Sequence, residues 1–556
     1  MSIANMLYIV HHAEASLKIK SLTRAMENRM QRKRPNIILI TSDQHRWDCF
    51  GFGPRQARMP HLTRLAKKGV RFENCTTANP LCQPARASIL TGMLPYTHGV
   101  VDNGIDLNIS YGEQGFASTL SKNGYKTAII GKAHFSSKAT FEATGTPECQ
   151  FSSVNYDEKW NGPYMGFEHV ELMVVGHFSR VVPPQHIHAM PFSPPHGLHY
   201  ERWFHSRGEA GEARRLWEES TDGRGLLAPQ TWNSALPAAW HPTTWVTDRS
   251  INYLQERAKQ DDPFCLWISY PDPHHPFDCP EPWNKLYDPA EVDLPKHRQL
   301  DLENRPWWHT ELYGKVEKIG REQYASPNSK QKVSRISNPT EEELRHITAN
   351  YYGMISFLDH GLGRLTSAIQ DLGLDKDTII VFTTDHGELL GDHGLMLKGP
   401  TLYEGLVRIG MVVVAPDSLQ DKNIYDPVST IDLAATFYDY ANIERPETIL
   451  QSNSLRSLIS GTSKSERDCA YCEWKAGEER YGVDLDLRMI RTSRYKAIFE
   501  LNSNCGELYD LEEDPQEMSN LYNDPGYSLV RKQLHDHLME RPGNQLSELP
   551  KRSGLT

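Results

Sequence analysis

The chain has 556 residues, of which 38% are hydrophobic and 24% are charged. This composition excludes a disordered chain, and 38 glycines without a Gly-x-y period exclude collagen. No apolar stretch approaches the roughly 18 residues of a membrane span, so we expect a soluble protein with no membrane partner. The 71 acidic and 60 basic residues give a net charge of −11 and no basic face for nucleic acid. An anionic substrate therefore needs a local positive site.

The cysteines predict no disulfide scaffold, and the N-terminus gives no support for export. Nine cysteines are an odd number at low density, which is not typical of a disulfide scaffold. Cys469 and Cys472 form a lone CxxC, which we interpret as two ordinary thiols in preference to a zinc or redox site. Residues 1–34 lack a signal-peptide core, so we expect a disordered extension or a start codon placed too early, and a cytoplasmic location.

Strands and helices alternate along the first 445 residues. Continuous apolar runs, typical of strands buried on both faces, predict strands over residues 36–41, 126–130, 264–269 and 378–383. Helical spacing and end signals predict helices over residues 60–70, 116–123, 245–259 and 340–372. Thr340 and Glu343 fit a capping box at the start of the last helix, and Gly361 and Gly363 are candidates to bend it. This alternation predicts an α/β fold with a mostly parallel sheet flanked by helices.

Two regions depart from the alternation. Residues 136–245 are rich in proline and histidine, and they predict a loop-rich insertion that either lines an active-site mouth or is a plain insertion. Beyond residue 445, alternating segments at 488–492, 495–501 and 507–511 and a closing helix at 527–539 predict an antiparallel sheet. We therefore expect a catalytic domain over residues 35–445 and a smaller C-terminal α+β subdomain over residues 446–556.

Polar residues follow three of the predicted strands. Asp43-Gln44, Asp385-His386 and Pro273-His274-His275-Pro276 each stand at a strand's carboxyl end, where open parallel sheets bind ligands. Oxygen donors with one imidazole suit a divalent cation such as Ca²⁺ or Mg²⁺. If Asp43 or Asp385 is considered alone, the alternative to a metal ligand is an aspartate that caps the next helix.

One segment resembles a known signature. Cys82-Gln83-Pro84-Ala85-Arg86, followed by a small-residue turn that ends in Thr91-Gly92, resembles the Cys-x-Pro-x-Arg motif of the formylglycine-dependent sulfatases. Further matches occur in family order, one before this motif at residues 63–72 and four after it at residues 124–134, 273–276, 384–398 and 507–521. The resemblance covers residues 36–521 and implies an alkaline-phosphatase-like core.

The resemblance also implies a chemistry. Cys82 would be oxidised to formylglycine by a separate formylglycine-generating enzyme, and the hydrate of that aldehyde would attack the sulfur of a sulfate ester. The second hydroxyl of the resulting covalent sulfate would then be deprotonated and would expel sulfate. Asp43, Gln44, Asp385 and His386 would hold a cation, Ca²⁺ or Mg²⁺, beside residue 82.

The remaining motif residues acquire roles from the same resemblance. Arg86 would hold the formylglycine hydrate by charge-assisted hydrogen bonds. Lys132 and Lys398 would stabilise charge on the sulfuryl oxygens. His134 is the candidate base for sulfate expulsion. His274 is the candidate proton donor to the leaving oxygen, with His275 as the neighbouring alternative.

Three departures from the commonest family pattern bear on the substrate. The metal pairs are Asp-Gln and Asp-His where Asp-Asp and Asp-Asn are commoner, and Ala85 stands where serine is frequent. The metal pairs resemble the branch of choline sulfatases and phosphonate monoester hydrolases. They leave a phosphodiesterase or phosphonate monoester hydrolase as the alternative to a sulfatase. A catalytically silent binding protein is a third possibility, which the intact motif residues oppose.

The substrate itself stays open among carbohydrate, aryl and choline sulfates. Ten of the twelve tryptophans lie between Trp160 and Trp308, which indicates either a broad aromatic cleft or ordinary core residues. His98 and His177 are the two further histidines that we would test for substrate contact.

Overall fold

The computed structural model describes residues 34–174, 197–209, 211–212, 215–216, 226–228, 230–314, 339–446, 451–465 and 467–554. The predicted N-terminal extension, apart from residue 34, and part of the predicted loop-rich insertion, with His177, lie outside these ranges. None of the described helices combines the length and the apolar composition that a membrane crossing requires.

The described strands are β1 (Asn36–Ser42), β2 (Val70–Thr76), β3 (Lys126–Gly131), β4 (His169–Leu172), β5 (Leu226–Ala228), β6 (Thr231–Asn233), β7 (Phe264–Ser269), β8 (Phe277–Cys279), β9 (Thr378–Thr384), β10 (Arg408–Val414), β11 (Lys422–Ile424), β12 (Val428–Ser429), β13 (Cys469–Ala476), β14 (Leu485–Thr492), β15 (Tyr495–Glu500) and β16 (Cys505–Asp510). The described α-helices are α1 (Pro60–Ala66), α2 (Cys82–Thr91), α3 (Pro95–His98), α4 (Ile109–Gly112), α5 (Phe116–Lys122), α6 (His199–His205), α7 (Pro242–Arg257), α8 (Trp307–Tyr313), α9 (Glu341–Asp371), α10 (Glu404–Val407), α11 (Asp432–Ala441), α12 (Arg456–Ser460), α13 (Glu478–Tyr481) and α14 (Ser528–Met539).

The central sheet has the order β11-β2-β10-β9-β1-β7-β3-β4, with β12 also paired to β2. Strand β1 runs parallel to both of its neighbours, β7 and β9. Strand β10 is antiparallel to β2 and to β9. The predicted mostly parallel α/β sheet is therefore confirmed, including all four predicted strands, whereas β2 and β10 were not predicted.

The sheet is covered on both faces because successive side chains of β1 point to opposite sides. Ile37 and Leu39 pack into one core cluster, which includes Phe116 of α5. Ile38 and Ile40 pack into a second cluster, which includes Leu362 of α9. Every residue of β1 is buried, as its continuous apolar run predicts.

The long helix α9 begins as its sequence predicts. The Thr340 hydroxyl accepts a hydrogen bond from the Glu343 backbone N–H at 3.2 Å, and the Glu343 carboxylate accepts one from the Thr340 N–H at 2.8 Å. The helix is one continuous element past Gly361 and Gly363, and Gly361 serves close packing: a Cβ there would lie 2.7 Å from the Thr247 hydroxyl of α7.

The C-terminal sheet is antiparallel in the order β13-β14-β15-β16, which confirms the prediction for this region. A buried ion-pair network joins it to the central sheet. Glu404 of α10, directly before β10, accepts hydrogen bonds from Arg491 of β14 at 3.0 and 2.8 Å and lies 3.4 Å from Lys496 of β15. Lys496 also pairs with Glu517. Burial raises the pKa of Glu404, but Arg491 and Lys496 outweigh it and hold that pKa below its usual range.

We expect Arg491→Ala to destabilise the protein by about 3–5 kcal/mol, because it leaves the buried Glu404 carboxylate without its main partner. Denaturant unfolding, followed by fluorescence and far-UV circular dichroism, measures the loss. Lys532→Ala is the control, since it removes an exposed pair with Asp536 and should cost at most about 1 kcal/mol. Equal losses in the two variants would contradict the attachment inferred here.

Candidate active site

The carboxyl ends of three adjacent strands meet at one edge of the central sheet. Asp43 follows β1, Asp385 follows β9 and the 273–276 segment follows β7, and β1 lies between the other two strands. Helix α2 begins at Cys82 against this edge. The Asp43 N–H donates to the Asp272 carbonyl oxygen at 3.1 Å, and the Gln44 N–H donates to the Asp385 carboxylate at 3.2 Å. The topology therefore brings together residues that are over 300 positions apart.

Four side chains at this edge form a buried donor cluster. One donor atom each from Asp43, Cys82, Asp385 and His386 lies within 4.8 Å of the others. The Cys82 Sγ lies 3.2 Å from His386 Nε2 and 3.6 Å from Asp43 Oδ1. His386 Nδ1 lies 2.8 Å from the Gly387 carbonyl oxygen, so this nitrogen is a donor and orients the ring with Nε2 toward the cluster. Two carboxylates and an oriented imidazole fit a divalent cation.

Gln44 lies beside this cluster, but its side-chain amide contacts residues outside the cluster. Its amide contacts the buried Glu388 carboxylate on one side and His275 Nδ1, at 3.0 Å, on the other. Burial raises the pKa of Glu388. The role of Gln44 as a metal ligand thus stays a prediction. Glu388, which contacts its amide, lies within the 384–398 match, but the sequence analysis assigned it no function.

Arg86 is the centre of the charge balance. Its guanidinium is fully buried and donates to Asp385 at 2.9 Å and to Asp43 at 3.2 Å. It also donates to the Lys132 carbonyl oxygen at 2.8 Å and to the Ser269 hydroxyl at 2.7 Å. Arg86 therefore ties α2 to the ends of β1, β9, β3 and β7.

Two lysines complete the positive side of the site. The Lys132 ammonium lies 2.6 Å from Asp43. The Lys398 ammonium lies 2.8 Å from Cys82 Sγ, 2.9 Å from His274 Nε2 and 3.2 Å from His386 Nε2. His274 thus reaches the Cys82 environment through Lys398, whereas His275 stacks on His274 at 4.1 Å and faces Gln44.

The clustered cations shift the acids at the site. Burial raises the pKa of Asp43, but Lys132, Arg86 and Lys398 outweigh it and hold that pKa well below its usual range. Burial and the Asp43 charge raise the pKa of the Cys82 thiol, but Lys132, Lys398 and His386 lower it below its usual value. The site therefore favours negative charge at position 82.

His134 lies apart from these contacts. Its two ring nitrogens are buried and have no hydrogen-bond partner among the described residues. Burial and the positive charges of Lys132 and Arg86 hold its pKa well below the usual value, so the ring is neutral. Its backbone has a φ of +55°, and its N–H donates to the Glu148 carboxylate.

Two further expectations from the sequence concern buried residues. Both ring nitrogens of His98 are engaged, one with the Ser88 hydroxyl at 2.9 Å and the other accepting from the Val100 N–H at 3.1 Å. His98 therefore packs behind α2 and does not offer its ring to a substrate. Trp232, Trp267 and Trp308 are fully buried core residues. The tryptophan-rich region is thus in part ordinary core.

A family model described as sulfatase matches residues 35–443. The chain belongs to the sulfatase family. A second model, N-sulphoglucosamine sulphohydrolase, C-terminal, matches residues 391–543. The resemblance carried by the Cys82 motif is therefore confirmed, and so is the assignment of the chain as a hydrolase of the sulfatase class.

Individual proteins agree with this assignment. An arylsulfatase of Clostridium perfringens is 30% identical over 502 residues, which cover 89% of this sulfatase and 91% of that protein. A choline-sulfatase of Rhizobium meliloti is 27% identical over 88% of this chain and 83% of its own. The solved phosphonate monoester hydrolase SpPMH from Silicibacter pomeroyi has a TM-score of 0.71 at 23% identity, over 92% and 97% of the two chains. The last likeness shows a shared fold.

The loop that carries His134 depends on a carboxyl that sequence reasoning missed. Buried Glu148 accepts hydrogen bonds from the backbone N–H groups of His134, Phe135 and Ser136, the last two at 3.0 and 3.1 Å, and from the Tyr164 hydroxyl at 2.8 Å. Burial raises the pKa of Glu148 to about 7, although these donors oppose the shift. A lone Glu in a proline-rich region gave no signal of this position.

We expect Glu148 to make stability fall as pH rises from about 4.5 to about 7. Its pKa is higher in the folded state, so its contribution is fully present below the unfolded value and is lost as pH passes the folded value. The loss amounts to about 3 kcal/mol. Denaturant unfolding of Glu148→Gln and of the parent sulfatase at pH 4.5 and 8 measures this loss. It is the difference between the two proteins in how much the free energy of unfolding changes between those pH values. Exposed Glu113→Gln is the control, and identical pH slopes for all three proteins would refute the assignment.

Proposed function

We propose that this sulfatase hydrolyses a sulfate monoester with a formylglycine derived from Cys82 as its nucleophile and with a bound divalent cation, Ca²⁺ or Mg²⁺. The observation that carries the proposal is the position of Cys82. Its Sγ contacts the His386 imidazole and Asp43 of the donor cluster and also the Lys398 ammonium. Maturation by a separate formylglycine-generating enzyme is part of the proposal.

Asp43, Asp385 and His386 would hold the cation together with residue 82, and the Gln44 amide is the further candidate ligand. The donor set supports this assignment, because carboxylate oxygens and an imidazole nitrogen already face one point. The bound cation would act as a Lewis acid that polarises the nucleophile and the sulfuryl oxygens.

The chain's own cations would position the ester. Arg86 offsets the charge of Asp43 and Asp385 at the base of the site, and in the mature protein its guanidinium would orient residue 82. Lys132 and Lys398 lie against the cluster, where their ammonium groups would stabilise charge that builds on sulfuryl oxygens.

Two histidines would move protons at opposite stages. His274 would deliver a proton to the leaving alkoxide oxygen, and the Lys398 ammonium at its Nε2 is the group that would re-supply it. His134 would accept the proton that triggers sulfate release. The ring supports that role because it is neutral and its nitrogens have no hydrogen-bond partner among the described residues, so its unprotonated nitrogen is available to a proton donor.

We expect purified mature protein to release inorganic sulfate from at least one of 4-nitrophenyl sulfate, choline sulfate and sulfated mono- and oligosaccharides. Cys82→Ala should lower kcat by at least about 10⁴-fold with little change in thermal stability, because only the nucleophile is removed. Ion chromatography measures sulfate, and mass spectrometry of the peptide around residue 82 detects the aldehyde. Cys505→Ala, at a partly exposed thiol, is the matched control.

The alternative activity on phosphorus esters is tested in the same assay. The Asp-Gln and Asp-His pairs favour it, as does the fold shared with the phosphonate monoester hydrolase. A much larger kcat/KM for phosphodiesters or phosphonate monoesters than for every sulfate ester would replace the lead proposal. If protein that carries only an unmodified thiol at residue 82 were fully active, the formylglycine nucleophile would be refuted.

We expect a divalent cation to stabilise the chelator-treated protein through this site. At a free concentration 100 times Kd, binding adds about 2.7 kcal/mol to the free energy of unfolding. Differential scanning calorimetry with and without added Ca²⁺ or Mg²⁺ measures the increment. Asp385→Asn should abolish the increment, whereas Asp375→Asn, at an exposed position, should retain it. An increment that survives Asp385→Asn would place the cation elsewhere.

A further inference from the structure

The two cysteines of the lone CxxC segment lie on opposite faces of β13, because successive side chains of a strand alternate between its faces. Cys469 belongs to the core cluster that contains Leu534 and Leu538 of α14. Cys472 belongs to the cluster that contains Trp308 of α8. The two thiols therefore cannot hold one ion together, and residues that could share an ion with Cys469 lie on the α14 side of the sheet.

Cys469 has two such neighbours. One ligand atom each from Asp468, Cys469 and His537 lies within 4.8 Å of the others, and His537 Nε2 lies 3.7 Å from Asp468 Oδ2. Among the described residues, this trio and the active-site cluster are the two groups of three or more His, Cys, Asp or Glu side chains whose ligand atoms come this close together. Zinc–ligand bonds of about 2.0–2.3 Å in a tetrahedron place ligand atoms about 3.3–3.7 Å apart, so the trio needs to close by at most about 1.5 Å.

The last turn of α14, which carries His537, is held against β13 by two contacts. The Tyr471 hydroxyl of β13 donates to the His537 carbonyl oxygen at 3.4 Å. Arg541, just after α14, pairs with Glu473 of β13 at 2.6 Å. The separation of the two backbones is therefore set by packed elements, which position ligands more precisely than loops do.

The trio is buried on its sulfur side and open to water on its other side. Cys469 is buried, whereas the side chains of Asp468 and His537 are 75% and 38% exposed. The two exposed side chains can turn toward an ion without a change in the core. Water can also reach a fourth coordination position, which zinc fills in sites with three protein ligands.

The surroundings of the thiol are compatible with a bound cation. Burial raises the pKa of the Cys469 thiol to about 11, although the Tyr471 hydroxyl opposes the shift. The thiol is therefore protonated at neutral pH, and a metal that binds its sulfur would release that proton to solvent. Arg467, whose charge also lowers this pKa, lies 2.8 Å from Asp432, which offsets that charge.

We propose that Asp468, Cys469 and His537 form a second metal site, which binds Zn²⁺ and joins the start of β13 to the end of α14. The donor types select the metal. One thiolate, one imidazole and one carboxylate suit zinc, whereas the active-site cluster, with its two carboxylates, suits a harder cation. The site is separate from the catalytic cluster, and it does not depend on the proposed hydrolysis.

Co²⁺ absorbance of the chelator-treated Cys82→Ala protein tests the site. A thiolate–Co²⁺ bond gives a charge-transfer band in the near ultraviolet, and the Cys82→Ala background removes the thiol of the active-site cluster. We expect one equivalent of Co²⁺ to give this band and Zn²⁺ to displace the Co²⁺. Cys469→Ser should abolish the band, and Asp468→Ala and His537→Ala should each weaken Co²⁺ binding at least about 10-fold, because each removes a ligand.

Matched variants serve as controls. His535→Ala changes an exposed histidine of the same helix, and Cys505→Ser changes a partly exposed thiol, so both should keep the band and the affinity. Far-UV circular dichroism checks that each variant is folded, and His537→Ala, at a partly exposed position, keeps the test decisive if Cys469→Ser fails to fold.

Four results would overturn the site. They are the absence of the band, a band that survives Cys469→Ser, an affinity that neither Asp468→Ala nor His537→Ala changes, and half-saturation only at roughly millimolar Co²⁺, which would indicate an adventitious ion only.

Discussion

The Arg86 guanidinium, fully buried between the Asp43 and Asp385 carboxylates, is the interaction on which the rest of the site depends. Burying any one of these charges alone costs several kcal/mol, so each requires the other two. Because Asp43 ends β1, Asp385 ends β9 and Arg86 lies on α2, satisfying the charges also sets the position of Cys82 relative to the sheet. Stability and site geometry thus rest on the same hydrogen bonds.

The same charges suit the chemistry proposed for the site. Asp43 and Asp385 face Arg86, Lys132 and Lys398, so these five side chains sum to +1 before any cation binds. A sulfate monoester carries one negative charge, which this surplus attracts despite the acidic chain as a whole. The lowered pKa of the Cys82 thiol has the same origin, since nearby ammonium groups favour an anion at that position.

The C-terminal sheet contributes to the site as well as to stability. The network of Glu404, Arg491 and Lys496 attaches it to the central sheet through β10. With the sheet attached in this way, β13 contacts the loop before α2, and α13 contacts the loop after α3.

Much of this architecture follows from local sequence. The buried runs of β1, β3, β7 and β9 and the capping box of α9 are set by short-range periodicity and hydrogen bonding, so they could be predicted. Strand β10 was not predicted, because its pairing with β2 and β9 depends on segments far away in the chain. The residue types at Asp43, Cys82, Asp385 and His386 likewise indicated a nucleophile and a cation site, since they follow strand ends and match a family motif.

The partners of those residues could not be predicted. Arg86 pairs with Asp385 across 299 positions, and Glu148, Glu388 and His537 carry no local pattern that marks them. The sequence by itself determined the strands buried on both faces and the chemical class, and it predicted the candidate reacting residues, because these depend on side-chain identity and short-range order. Only the tertiary structure decided which charges meet and which histidine faces Cys82. Coulombic and hydrogen-bond energies depend on distances and burial, and folding alone sets those quantities.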